Sequence, residues 1–200
     1  MAGVKGQVQR RGIERRQAIL EAAIEVFARS GYRGSAMNEI GERAGITGTG
    51  VLHHFGSKAA LLLATIRERD RRAEPGFRSL AELGGVDMLR GLIRYARQGE
   101  TEPGLNALHT VILAESLEEG TPAHEYFLDR SRLITGQLAK GIDRGKEQGL
   151  IRVDVDSTAT AAMVVAFQEG ASLMAQLDPS LSLADLYDTF LGGLIHHISP

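Results

Sequence analysis

The residues to weigh first are those that can touch something other than protein. Thr47-Gly48-Thr49-Gly50 sets two hydroxyls and two glycines in one short run. Hydroxyls at the start of a helix can donate to base edges or phosphates, and glycines let a backbone come near. His53-His54 and Lys58 follow, and Lys5, Arg10, Arg11, Arg15 and Arg16 precede. Cationic side chains around a small polar turn are the types that grip a phosphate backbone. Other chemistries are poorly served. Adjacent pairs such as His53-His54 and His196-His197 point to different sides of a helix, His109 and His124 stand alone, and no His-Glu-x-x-His spacing occurs. No metal or other cofactor is therefore expected. The chain has no cysteine, no Gly-x-Ser-x-Gly elbow and no phosphate-cradling glycine loop. It is not expected to be an enzyme.

The elements that must carry these residues read as helices throughout, about nine of them, in an all-α fold. Only Ile151–Val155 shows a brief strand-like alternation. In Gln17–Ser30 the positions Ile19, Leu20, Ala23, Ile24 and Phe27 make one apolar stripe, and Gly31 supplies the stop. Ser35 is expected to cap a short helix through Met37, Ile40 and Ala44, ended by Gly45. Thr47 caps another through Val51, Leu52 and Phe55. Two short helices around a glycine-containing turn form a helix-turn-helix, whose second helix meets base edges with its first residues. Ser57 opens a longer helix to about Arg72, and Pro75-Gly76 marks the outer border of the domain.

Beyond it, helices are expected over Val86–Gln98 and Gly104–Glu119, then from Thr121-Pro122 to Gln148. Two more follow over Ser157–Leu177 and Ser182–Ile198. The predicted organisation is a flexible basic arm over 1–12, a three-helix DNA-binding domain over 13–58 with a bridge helix to about 72, and a helical dimerisation domain over 73–200. Residues 1–72 carry 13 bases against 7 acids, while the remainder carries 10 against 18. A basic end on an acidic body fits a chain that meets a polyanion at that end. The Arg-rich start has no signal-peptide core, and the least charged stretch is broken by Thr158, Thr160, Gln168, Glu169, Gly170 and Ser172. No membrane span and a cytoplasmic location are expected.

Three ordered runs, Ala28-Arg29-Ser30-Gly31-Tyr32-Arg33-Gly34-Ser35, Ile40-Gly41-Glu42-Arg43-Ala44-Gly45-Ile46-Thr47 and His53-His54-Phe55-Gly56-Ser57-Lys58, resemble the N-terminal domain of TetR-family transcriptional regulators. The resemblance spans about residues 13–63. It implies an all-helical, dimeric repressor whose C-terminal domain binds a small molecule and thereby alters affinity for a double-stranded, palindromic operator. It also implies that Thr47, Gly48 and Thr49 read bases, that His53 and Lys58 contact phosphates, and that Ser35 caps the second helix and touches the DNA backbone. Leu52 departs from the pattern, since the family usually has a phosphate-contacting tyrosine there. Arg15 and Arg16 read as phosphate contacts; for Lys5 to Arg11 a phosphate clamp and a solvated tail are equally open readings.

The effector pocket is expected among Met88, Leu92, Tyr95, Leu108, His109, Ile112, Phe127, Met163 and Phe167, with Glu115 and Gln168 as further polar candidates. The acidic balance favours an apolar effector of neutral or cationic character. Ser157–Leu177 has Glu169 as its single charge and must be covered on both sides. It is either sunk within one chain or paired with a second copy. The reading adopted is a two-fold dimer through Ala162, Ala166, Gly170, Phe190 and Leu194.

Overall fold

The computed structural model describes residues 2–200, with the side chains of all but residues 2–9, 81, 98 and 99. Among the described residues the chain forms nine helices and no strand. These are α1 (Ala2–Gly34), α2 (Met37–Arg43), α3 (Gly48–Phe55), α4 (Lys58–Leu83), α5 (Gly85–Gly99), α6 (Pro103–Glu115), α7 (His124–Glu147), α8 (Ser157–Leu177) and α9 (Leu183–Ile198). They group into two compact units. The first comprises residues 1–70 with 107–125, the second 71–106 with 126–200. The second domain expected over 73–200 is therefore not continuous, because the end of α6 and the turns after it pack with the N-terminal helices.

In the first unit, α1 buries its expected stripe: Ile19, Leu20, Ala23, Ile24 and Phe27 join Ile40, Val51, Leu61, Leu62 and Ile66 in the interior. The expected flexible arm is instead helical from Ala2 onward. No proline and no Ser, Thr, Asp or Asn lies between Ala2 and Arg16 to start or stop a helix. Arg10 and Glu14 add an i,i+4 pair at 3.3 Å. Lys5 lies outside the described side chains, and Arg10 and Arg11 are exposed. Gly31 breaks the helical path at φ 66°, where the expected stop was placed.

Ser57 caps α4, its hydroxyl accepting from the Ala60 amide at 3.0 Å. The helix does not end before Pro75. It carries the proline inside and runs to Leu83, where Gly84 turns it at φ 67°. Leu80, beyond the proline, is buried, and Ser79 donates to the Pro75 carbonyl at 3.0 Å. Packing on both sides of the proline outweighs the one lost backbone donor.

The second unit is built around α5, α8 and α9, with Leu89, Leu92, Val164, Tyr187 and Leu191 at its centre. Asp156 caps α8 through the amides of Thr158 and Ala159, both at 2.9 Å, and Ser182 caps α9 through that of Asp185 at 3.2 Å. α7 starts at His124 rather than at Thr121-Pro122. The Thr121 hydroxyl donates to the Glu118 carbonyl at 2.8 Å, within the first unit, and so belongs to a turn instead of a cap. The Ile151–Val155 alternation makes no strand; the Arg152 amide donates to the Ile198 carbonyl at 2.9 Å.

Candidate nucleic-acid interface

Two glycines fix how α2 and α3 cross. A Cβ on Gly41 would lie 2.7 Å from the Thr47 carbonyl carbon and 2.8 Å from the Gly48 nitrogen. A Cβ on Gly48 would lie 2.2 Å from Asn38 Oδ1 and 3.0 Å from the Asn38 nitrogen. Only hydrogen fits at both places, so the helices meet backbone to backbone. Gly48 is buried in this contact and does not face outward, a correction to the role expected for it. Thr47 caps α3, its hydroxyl accepting from the Gly50 amide at 3.1 Å. With Gly48 and Val51 turned inward, Thr47, Thr49, Leu52, His53 and His54 are left exposed. Leu52 is 39% exposed, an apolar side chain on the face that the threonines and His53 share.

The cations behind α3 are engaged with protein. Arg15 Nη1 donates to the Ala44 carbonyl at 3.0 Å, closing the end of α2. The Arg16 guanidinium carbon lies 4.2 Å from the centre of the Phe55 ring, a cation–π contact across α1 and α3. Arg43 bridges to Glu25 at 2.8 Å, and Arg29 pairs with Glu39. Arg15 and Arg16 thus brace the helix-turn-helix and present only their remaining donors to a phosphate.

Ser35 is the clearest departure. α2 begins at Met37 with Ala36 at its N-cap position and no side-chain cap. The Ser35 hydroxyl, buried, donates to the Tyr32 carbonyl at 2.9 Å. Its short reach finds that acceptor within its own turn, so it neither caps α2 nor faces solvent. Lys58 Nζ donates to the Ser35 carbonyl at 2.6 Å and lies 4.8 Å from the Tyr32 ring centre. Burial lowers the Lys58 pKa from the ordinary lysine value, and the negative charge of Glu115 acts against that lowering. Asn38, Tyr32 and Glu115 went unassigned to this site in the sequence. The sequence signal for Asn38 and Gly48 was there in the glycine spacing; that for Glu115, more than fifty residues from Lys58, was not.

Among the expected effector residues, Met88, Leu92 and Phe127 are buried and Tyr95 and Phe167 half-buried in the second unit, whereas Leu108, His109 and Ile112 are buried in the first. Met88 fills the space over Gly141, where a Cβ would meet its sulfur at 2.3 Å. Met163 is 57% exposed, on a turn of α8 that faces out. Ile112 and Glu115 border a cleft of about 220 Å³ within the first unit.

Of the residues expected in the dimer contact, Ala162, Ala166 and Gly170 are exposed along α8, beside Leu173, Met174 and Leu177. Phe190 stacks on Phe167 with centroids 3.9 Å apart, and Leu194 is half-buried. Among the described residues no helix is long and apolar enough to cross a membrane, and no cluster of three His, Asp or Glu is placed to hold a metal ion.

Helical throughout its secondary structure among the described residues, with a helix-turn-helix that leaves Thr47, Thr49 and His53 exposed, the chain has the arrangement of a DNA-binding protein. Residues 19–65 match the family model of the bacterial regulatory proteins, tetR family. The chain is 28% identical over 156 residues to the HTH-type transcriptional repressor AcnR of Corynebacterium efficiens, covering 72% of this chain and 74% of that one. Its fold is shared with a TetR-family regulator from Agrobacterium tumefaciens at a TM-score of 0.80 and 20% identity, covering 94% of this chain and all of the other. It is also shared with a regulator from Saccharomonospora viridis crystallised with choline, at 0.78 and 22%, covering 94% and 98%. Residues 19–65 thus carry the match to the tetR family, and over most of its length the chain is similar to transcriptional regulators of that family.

Proposed function

We propose that two copies of this chain pair to form a repressor that presents two α3 helices to successive major grooves on one face of a palindromic duplex. The spacing that such a dimer must match is about 34–36 Å, one helical turn. Thr47 and Thr49 touch base edges in this reading. His53, Lys58 and the free donors of Arg15 and Arg16 hold phosphates, with the helix-turn-helix over 13–58 as the reading domain. One observation carries the assignment: α3 turns Thr47, Thr49, Leu52 and His53 outward because Gly48 and Val51 are locked inward.

Pairing runs through the exposed small-residue row Ala162, Ala166 and Gly170, supported by the apolar side chains that flank it on α8. A Cβ at Gly170 would meet nothing within 4 Å, so the row leaves room for another helix to approach. The effector is a small molecule held by residues within 73–200, apolar with neutral or cationic character. The acidic balance of that stretch supports this, as does the choline bound by the Saccharomonospora viridis protein. The activity is binding and not catalysis, in keeping with relatives that are named as regulators.

Selection of bound fragments from genomic DNA, followed by a salt titration on the recovered duplex, tests the reading. A palindromic site is expected, with affinity that falls steeply as salt rises, because each neutralised phosphate releases counterions. Recovery of no sequence above background, with no mobility shift at low salt, would remove it.

A further inference from the structure

The corner between α1 and α2 is held by a residue far along the chain. Glu115, the last residue of α6, accepts from the backbone amide of Tyr32 at 2.5 Å and from that of Arg33 at 3.3 Å. A Cβ on Gly31 would lie 2.6 Å from the same carboxylate. Glycine at that position therefore serves the seat of the carboxylate as well as the positive φ. The other contacts of the corner close on the same few residues: Ser35 on the Tyr32 carbonyl, Lys58 on the Ser35 carbonyl, and the Lys58 ammonium over the Tyr32 ring. The cleft lined by Tyr32, Arg33, Leu62, Glu115 and Thr121 runs alongside the carboxylate.

Residues 31–36 set the direction in which α2 leaves α1, and the glycine crossing makes α3 follow α2. A carboxylate taking two amide donors is a directional, charge-assisted clamp on that direction. α6 is also a helix by which the chain passes from the second unit, through Asn106, into the first, from Ala107.

We propose that Glu115 is the positioning residue through which α6 sets the α1–α2 corner, and with it the affinity of the recognition helix for DNA. This deepens the regulator reading and rests on it. Glu118, whose carboxylate pairs with the exposed Arg33 guanidinium at 3.1 Å, serves as the neighbouring control, since such surface pairs contribute little.

The test uses full-length chain with Glu115→Gln, Glu115→Asp and Glu118→Gln. In Glu115→Gln the Tyr32 and Arg33 amides exchange with solvent about tenfold faster without DNA, the size expected for one lost charge-assisted bond. Exchange in α8 and α9 stays unchanged. Affinity for the selected duplex falls about 5- to 50-fold. The salt slope is unaltered, because no phosphate contact is removed. Glu115→Asp, which keeps the charge and shortens the reach, falls between and serves where the glutamine variant does not fold. Glu118→Gln matches the wild type in both measurements. Unchanged amide exchange overturns the clamp, as does exchange that rises equally throughout the chain. Tighter binding with a steeper salt slope overturns it too, for it would mean that Glu115 only screens Lys58. A wild-type chain that shifts no duplex defeats the regulator reading and the DNA half of this proposal, while the exchange measurement separately decides whether the clamp exists.

Discussion

Gly48 and Gly50 stand two residues apart on α3 and meet different surroundings. Alanine at 48 drives a methyl into Asn38, including its backbone nitrogen, and should cost about 1–3 kcal/mol by overpacking, with DNA binding lost as α2 and α3 part. Alanine at 50 meets its nearest neighbours at 3.4 Å and should change the melting temperature little. Denaturant titration of the two variants checks the contrast. Thr49→Ala, at an exposed position without a capping role, should leave stability within about 0.5 kcal/mol while changing which duplex is preferred in a competition experiment. Thr47→Ala is a poorer probe of base reading. It also removes the N-cap of α3, which costs about 1 kcal/mol. The same holds for Lys58→Ala: it should weaken binding to every duplex, but it also frees the Ser35 carbonyl, so salt slope and affinity need to be read together.

At the scale of elements, the periodic helices were legible and the punctuation was less so. The α1 stripe, the α2–α3 turn and the caps at Ser57 and Ser182 follow from apolar spacing and from side chains that accept amides within three residues. Pro75 misled because proline's effect is local, whereas the continuation of α4 is settled by Leu80 and its neighbours in the packed structure. The Thr121-Pro122 pair misled for the opposite reason: Thr121 found an acceptor behind it, at Glu118, and the helix began three residues later than the threonine. Ser35 was read as a cap because hydroxyls often cap; only coordinates reveal the nearer Tyr32 carbonyl. Asp156→Ala should destabilise α8 by about 1 kcal/mol, up to about 2, readable as a lowered midpoint in urea. Pro75→Ala should raise stability, since it restores a backbone donor inside α4, and a higher unfolding midpoint is the expected reading.

For the whole molecule, the proposed pairing is what the reading of a palindromic operator rests on. Gly170→Arg places a charge in the open row of α8, where nothing of the chain itself stands within 4 Å. The helical content should be unchanged, but light scattering at micromolar concentration should show single chains, and binding to a palindromic duplex should fall by more than tenfold. The division of the chain into units was the least legible feature. A border near residue 73 is what composition and Pro75-Gly76 suggest, yet residues 107–125 return to the N-terminal helices. Sequence distance hides such a return, since no local pattern marks Glu115 as a partner of Tyr32. This has a practical bearing on the exchange of modules between regulators. A chimera that joins residues 1–72 of this chain to the body of another would carry its reading head without the strip that completes it. The splice that preserves the head has three seams instead of one, with 107–125 carried across as cargo.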